Sequence, residues 1–356
     1  MRTESFEFLK KLVAAPSPSG YEQPAQRVFR EYVGEFAETS TDVLGNVISF
    51  IPGQGDNRLK VMLVAHCDEI GFQVKYIDDN GYVWFGAVGG VDPHITVGQR
   101  LLIHSAKGAV TGVIGRKPIH LLEAKDRDSV IKLDNQYIDI GAATRKEAEE
   151  LIRLGDPITF ATELTPLQGD RVTSRGFDDK AGCFVVAEVM RLVAESGKKL
   201  PVDLYGVSSV QEEVGLRGGK TSSYSVDPDV GICVEVFFSS DQPDVDKKLN
   251  GEICLGKGPV IPRGLNINHF LFDLLIATAG KEEIPVQLIS IPRATGTDAN
   301  VMQVSRSGVA TALVTLPLRY MHSPVEVVSL SDLEQAAKLI VASLSGLTSR
   351  EALIPL

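Results

Sequence analysis

No CxxC pair occurs among the four cysteines, Cys67, Cys183, Cys233 and Cys254. Neither a zinc ribbon nor a dithiol redox motif is therefore supported, and the thiols are expected to be reduced and partly buried. Long apolar runs are also missing, and nothing approaches the roughly 20 residues needed to span a bilayer. The opening stretch "MRTESFEFLKKLVAAPSPSG" lacks the unbroken apolar core of a signal peptide. Glu4, Glu7, Lys10 and Lys11 divide it into the i, i+3, i+4 pattern of an amphipathic helix. A basic excess is absent too: the formal net charge is −10, which disfavours a nucleic-acid partner. There is no internal repeat and no low-complexity tract. What remains is a chain of 356 residues, 44% hydrophobic and 23% charged, long enough for a large core and two domains. These features lead us to expect a cytoplasmic protein with no membrane partner.

Two helices are predicted at the start, over residues 4–14 and 21–36, with "PSPSG" breaking and restarting them. "LKVMLVAHCDEIG" is almost continuously apolar up to Ala65, the pattern of a central strand covered on both faces. After Gly71 the texture changes. Alternating runs surround Asp79-Asn80-Gly81 and Ala106-Lys107-Gly108, two hairpin signatures, and only one helix is evident, over residues 144–154. Residues 71–164 are therefore expected to form an inserted β-barrel. From Asp178 onward helices and strands alternate. The fold class is read as α/β, a mixed and mostly parallel sheet with helices on both faces, formed by residues 1–70 and 165–356 and interrupted by the insert.

In such sheets, sites collect at the carboxyl ends of the strands. Five places there carry chemistry: His66 and Asp68 in "VAHCDE", Asp178 and Asp179 in "RGFDDKAG", Glu212 and Glu213 in "QEEVG", Glu235 in "CVEV", and His322 in "MHSPVE". Each alone has an ordinary structural explanation, such as a helix cap for the aspartates. Glu235 resists it, because "GICVEVFF" reads as a buried strand and a buried carboxylate without a partner is costly. Together they offer imidazole nitrogens and carboxylate oxygens, the donors that bind zinc, cobalt or manganese. Two metal ions about 3.5–4 Å apart need one bridging carboxylate and two further donors each. The inventory is sufficient, with a carboxylate left to act as base.

These blocks resemble the M42 metallo-aminopeptidases, the glutamyl-aminopeptidase and tetrahedral (TET) peptidase group, some members of which carry an endoglucanase label. "VAHCDEIGFQV", "IDIGAATRKEAEE", "FDDKAGC", "QEEVGLRGG", "GTDAN" and "MHSPVE" occur in that family's order and cover nearly the whole chain. The β-rich insert falls between His66 and Asp178, where M42 enzymes carry theirs. The resemblance implies that His66 and Glu235 bind one metal, Glu213 and His322 the other, and that Asp178 bridges both. Asp68 would orient His66 through its second ring nitrogen, and Glu212 would be the general base. Gly296, Thr297 and Asp298 of "GTDAN" would lie near bound substrate, Asp298 being equally readable as a helix cap. The peptide after the bridging aspartate would be cis. Assembly would run through the insert, as dimers that can build a dodecamer, with His94 or His120 able to reach a neighbouring site. One departure stands out: the family usually has aspartate where this chain has Glu235, and glutamate there is similar to the M20 acylases.

The function implied is hydrolysis of N-terminal residues from short peptides with two divalent cations, zinc foremost and cobalt or manganese alike suitable. An M20-like deacylase or carboxypeptidase using the same site is the alternative. A glucanase fits poorly, since glycosidases need two carboxylates flanking a sugar rather than histidines around a bridging aspartate.

Overall fold

The computed structural model describes residues 1–56 and 58–355. The chain opens with α1 (Thr3–Ala14) and α2 (Gln23–Val33), followed by β1 (Glu38–Thr41), β2 (Val47–Ile51) and β3 (Leu59–His66). Helix α1 buries Phe8, Leu9, Leu12 and Val13 while Glu4, Glu7, Lys10 and Lys11 face solvent, as the 3.6-residue period requires. Six strands then close the insert: β4 (Gly71–Ile77), β5 (Val83–Val88), β6 (Arg100–Ser105), β7 (Gly108–Ile114), β8 (Tyr137–Asp139) and β9 (Pro157–Phe160). They run in the order β4-β5-β8-β7-β6-β9 as a closed barrel. Its interior is filled by Phe72, Phe85, Leu101, Ile103, Ile158 and Phe160. Short helices α3 (Ala124–Arg127) and α4 (Arg145–Leu151) lie in its connections. Helix α4 is capped by the Thr144 hydroxyl, and it ends at Leu151 rather than at 154.

After the barrel come β10 (Thr165–Pro166), β11 (Arg171–Ser174), α5 (Phe177–Ser196), β12 (Val202–Ser209), α6 (Arg217–Val226), β13 (Val230–Phe238), α7 (Lys247–Asn250) and β14 (Val260–Gly264). The chain finishes with α8 (His269–Lys281), β15 (Gln287–Ile291), α9 (Asp298–Gln303), β16 (Ala310–Leu318), β17 (Glu326–Ser329) and α10 (Leu330–Leu344). The main sheet has the order β1-β2-β12-β3-β13-β16-β14-β15. Its centre, β12-β3-β13-β16, is parallel, so four strand ends face the same way. Strands β1 and β2, and the β14–β16 pairing, are antiparallel.

Strand β3 is buried on both sides, which is why its sequence is continuously apolar. Val61, Leu63 and Ala65 pack beneath α5, while Met62 and Val64 meet the opposite layer with Ala299 and Met302 of α9. Helix α6 and strand β14 were not anticipated: "RGGKTSSYSV" has weak helix propensity, and tertiary contacts with α9 and β12 decide it. All four cysteines are free, and Cys67, Cys183 and Cys233 are buried. Among the described residues no helix is long and apolar enough to cross a membrane.

Candidate metal centre

His66 is the last residue of β3, and Glu212 and Glu213 follow β12. Glu235 lies within β13 opposite Thr315 of β16, and His322 follows β16. Asp178 lies in the first turn of α5, where its backbone and that of Asp179 are not helical and the peptide joining them is cis. The parallel centre of the sheet thus delivers the histidines and glutamates to one edge, where the start of α5 adds Asp178.

Asp178 sits at the middle. Its Oδ1 lies 3.2 Å from His66 Nε2 and its Oδ2 lies 3.3 Å from His322 Nε2. His66 Nε2 is also 3.6 Å from Glu235 Oε1, and His322 Nε2 is 3.3 Å from Glu213 Oε1. Two donor sets therefore share Asp178: His66 with Glu235, and His322 with Glu213. Glu212 stands slightly apart, its Oε2 3.8 Å from His66 Nε2. Asp179 can also be grouped with His66 and Glu235. Its carboxylate, however, accepts the backbone N–H groups of His66 and Gly182, so it serves the loop rather than the cavity.

The remaining ring nitrogens are held by carbonyls. His66 Nδ1 lies 3.0 Å from the carbonyl of Asp68 and 3.4 Å from its Oδ1, so the backbone makes the closer contact. The Asp68 carboxylate mainly fixes the glutamate pair, accepting N–H of Glu212 at 3.0 Å and of Glu213 at 3.2 Å, and the Ser19 hydroxyl at 2.6 Å. His322 Nδ1 meets the carbonyl of Gly90, 2.9 Å away on the barrel. Each contact leaves Nε2 of the ring facing the cluster, the arrangement that metal-binding histidines adopt.

A cavity of about 380 Å³ opens over the cluster, with Gly296 and Thr297 in its wall. Asp298 is not part of that wall. It is the first residue of α9, with Thr297 at the cap position, and its buried carboxylate accepts the Ser209 hydroxyl at 2.6 Å. It also abuts Gly219, where a Cβ would come within 2.3 Å of it, which explains the glycine in "LRGG". His94 and His120 lie exposed on the barrel insert.

The family profile described as M42 glutamyl aminopeptidase matches residues 45–339. The chain belongs to the M42 aminopeptidase family. It is 41% identical to the lysyl aminopeptidase of Pyrococcus furiosus over 96% of its own length and 97% of that protein's. The crystal structure of a TET aminopeptidase from a marine-sediment Thaumarchaeota archaeon superposes with a TM-score of 0.92, at 34% identity and 98% coverage of both chains. The TET1 peptidase of Pyrococcus horikoshii, which can assemble into a tetrahedron or a large octahedral shell, gives 0.84 at 32% identity, covering 96% of this chain and 99% of that one. Membership makes this chain a hydrolase of the aminopeptidase class and favours that reading over the deacylase.

The electrostatics of this M42 site identify what the side chains lack. Burial, with the Glu235 charge adding, pushes Glu212 up to about 9, and burial against the pull of His66 brings Glu235 to about 7. Burial also raises Glu213. Hydrogen bonds to Asp178 and Glu213 push His322 up to about 11. Burial opposes charge on His66, yet Glu235 and Glu212 hold it well above its ordinary value. Four carboxylates thus face two imidazoles, and among the described residues no lysine or arginine lines the cavity. Against burial, the two imidazoles hold Asp178 below its ordinary value, while Glu212, Glu213 and Glu235 are pushed toward neutrality, a crowding that added positive charge would relieve. Divalent cations fit this donor set of nitrogen and oxygen.

Glu326, the last residue of "MHSPVE", acts on the site through the backbone. Its buried carboxylate accepts the N–H of Asp178 at 3.2 Å and of His322 at 3.0 Å, so one side chain sets the backbone of both shared-site residues. The sequence pattern signals neither this role nor that of Glu69, which is buried between Arg175 and Lys180 just behind the site.

Proposed function

We propose that this chain removes N-terminal residues from short peptides with the help of two divalent cations. The observation that carries the reading is Asp178, whose two oxygens face two imidazoles, each paired with its own glutamate. His66 and Glu235 would hold one cation, Glu213 and His322 the other, and Asp178 both. Zinc, cobalt and manganese suit these donors. When bound, the cations polarise the scissile carbonyl and acidify water toward a pKa of about 7.

The residues do the rest. Glu212 takes a proton from the attacking water and passes it to the departing amine as the C–N bond breaks. Asp68 holds the backbone of Glu212 and Glu213 together, so that one faces the shared site and its neighbour stays free to move a proton. The Asp68 and Gly90 carbonyls keep His66 and His322 in the tautomer whose Nε2 is open. Gly296 and Thr297 border the space in which substrate would lie.

Assembly through residues 71–164 is part of the proposal: dimers that build a larger shell of up to a dodecamer. The TET1 relative supports it, as do Ile119 and Leu121, apolar yet 59% and 63% exposed on the insert. The free thiols support a cytoplasmic setting. The test is hydrolysis of aminoacyl-nitroanilides before and after chelation. Activity should vanish with the metal and return with added zinc, cobalt or manganese. Full activity in chelator, or cleavage of N-acetylated peptides in preference to free amines, would overturn the proposal.

A further inference from the structure

We infer that the side chain of the substrate's N-terminal residue is received by a neutral, apolar wall, so that leucine-, methionine- and phenylalanine-type N-termini are taken in preference to acidic or basic ones. This rests on the aminopeptidase reading above and adds the substrate class to it. Every ionisable group lining the cavity belongs to the cluster itself: His66, Asp178, Glu212, Glu213, Glu235 and His322. Among the described residues no lysine, no arginine and no further carboxylate lines it. The rest of the wall includes Phe237 and Phe238 from the end of β13, Ile291 from the end of β15, Leu313, and Met321 beyond β16.

The hydroxyls in that wall are already engaged. Thr315 donates to the carbonyl of Val260 at 3.2 Å, and Thr295 and Thr297 bond each other at 2.9 Å. A substrate side-chain carboxylate placed against that wall would lose water and gain no lysine or arginine partner in return. The side-chain ammonium of an N-terminal lysine would find no carboxylate outside the cluster, whose members are committed to the shared site or to proton transfer. An aliphatic or aromatic side chain loses nothing by entering. A group stripped of water without a partner is rejected far more strongly than a missing methylene.

The measurement is kcat/KM for leucyl, methionyl, phenylalanyl, glutamyl and lysyl nitroanilides on metal-loaded protein. The best apolar substrate should exceed the glutamyl one by about 100-fold or more and the lysyl one by about tenfold or more. A glutamyl or lysyl substrate that equals or exceeds every apolar one would overturn the inference alone. Cleavage of none of the five by protein shown to carry its metals would overturn the aminopeptidase reading and the inference with it.

Discussion

Replacing Glu69 by glutamine should cost the fold about 3–5 kcal/mol, the range for breaking a buried ion pair. Glu69 is 2% exposed and accepts from Arg175, from Lys180 Nζ at 2.9 Å and from the N–H of Ser17 at 3.0 Å. Lys180 is fully buried. In the variant the two cations would keep only neutral acceptors, the glutamine amide oxygen and the carbonyls at the end of α1, Ala15 for Lys180 and Ala14 for Arg175. Burial alone would raise Glu69, but Arg175 and Lys180 override it and hold the carboxyl at about 2. A fall from 4.5 to about 2 corresponds to about 3 kcal/mol in favour of the charged form. Lys180 itself is held below its ordinary value by burial, with the Arg175 charge adding, so the two cations coexist through Glu69. An unfolding entropy of about 0.75 kcal/mol/K for a chain of this length turns the loss into a Tm lower by about 4–7 °C. Because the folded pKa is depressed, the contribution is complete above pH 4.5 and disappears as pH falls through about 2. Calorimetry of both proteins should therefore show the gap at pH 7 and its narrowing below pH 4.5. A Tm difference under about 1 °C at pH 7 would refute the reasoning and mean that neutral acceptors alone satisfy both cations.

Two further perturbations address the site. Gly90→Ala would place a Cβ 3.2 Å from His322 Nδ1, on the barrel loop whose carbonyl orients that ring. Metal content should fall from two toward one per chain and kcat by about tenfold or more, with Tm shifted by no more than about 1–2 °C; this is checked by elemental analysis and calorimetry on one preparation. Glu326→Ala leaves the backbone N–H groups of Asp178 and His322 without their shared acceptor. Affinity for zinc or cobalt should drop about 10- to 100-fold in a calorimetric titration, and an unchanged affinity would mean that those loops are fixed by other contacts.

Much of this was legible in the sequence because the signals are local. The parallel centre of the sheet announced itself through "LKVMLVAH" and "GICVEVFF"; His66, Glu212, Glu213, Glu235 and His322 stood past or within strand runs, and Asp178 stood at the start of a helix. The barrel strands showed as alternating runs around Gly81 and Gly108, whose φ values of 83° and 121° are those of turn glycines. What stayed hidden depends on distant partners. Glu69 looks like any polar residue after a strand until Arg175 and Lys180 arrive from 106 and 111 positions away. Glu326 acts on backbone N–H groups, one of them 148 residues distant, which no residue pattern can signal. Helix α6 begins with glycines that weaken it in isolation and are required by the nearness of Val210 and Asp298. Asp298 followed the same logic, since only the fold shows its carboxylate turned to Ser209 rather than toward the cavity.

The central claim divides two adjacent side chains between two tasks, and metal content measured beside kcat in Glu212→Gln and Glu213→Gln tests it most directly. The Glu212 variant should keep both metal ions and lose about 10²- to 10⁴-fold in kcat, the usual contribution of a positioned base. The Glu213 variant should lose one metal ion. A Glu212 variant that loses metal, or one that keeps its metal ions and its turnover, would contradict the assignment.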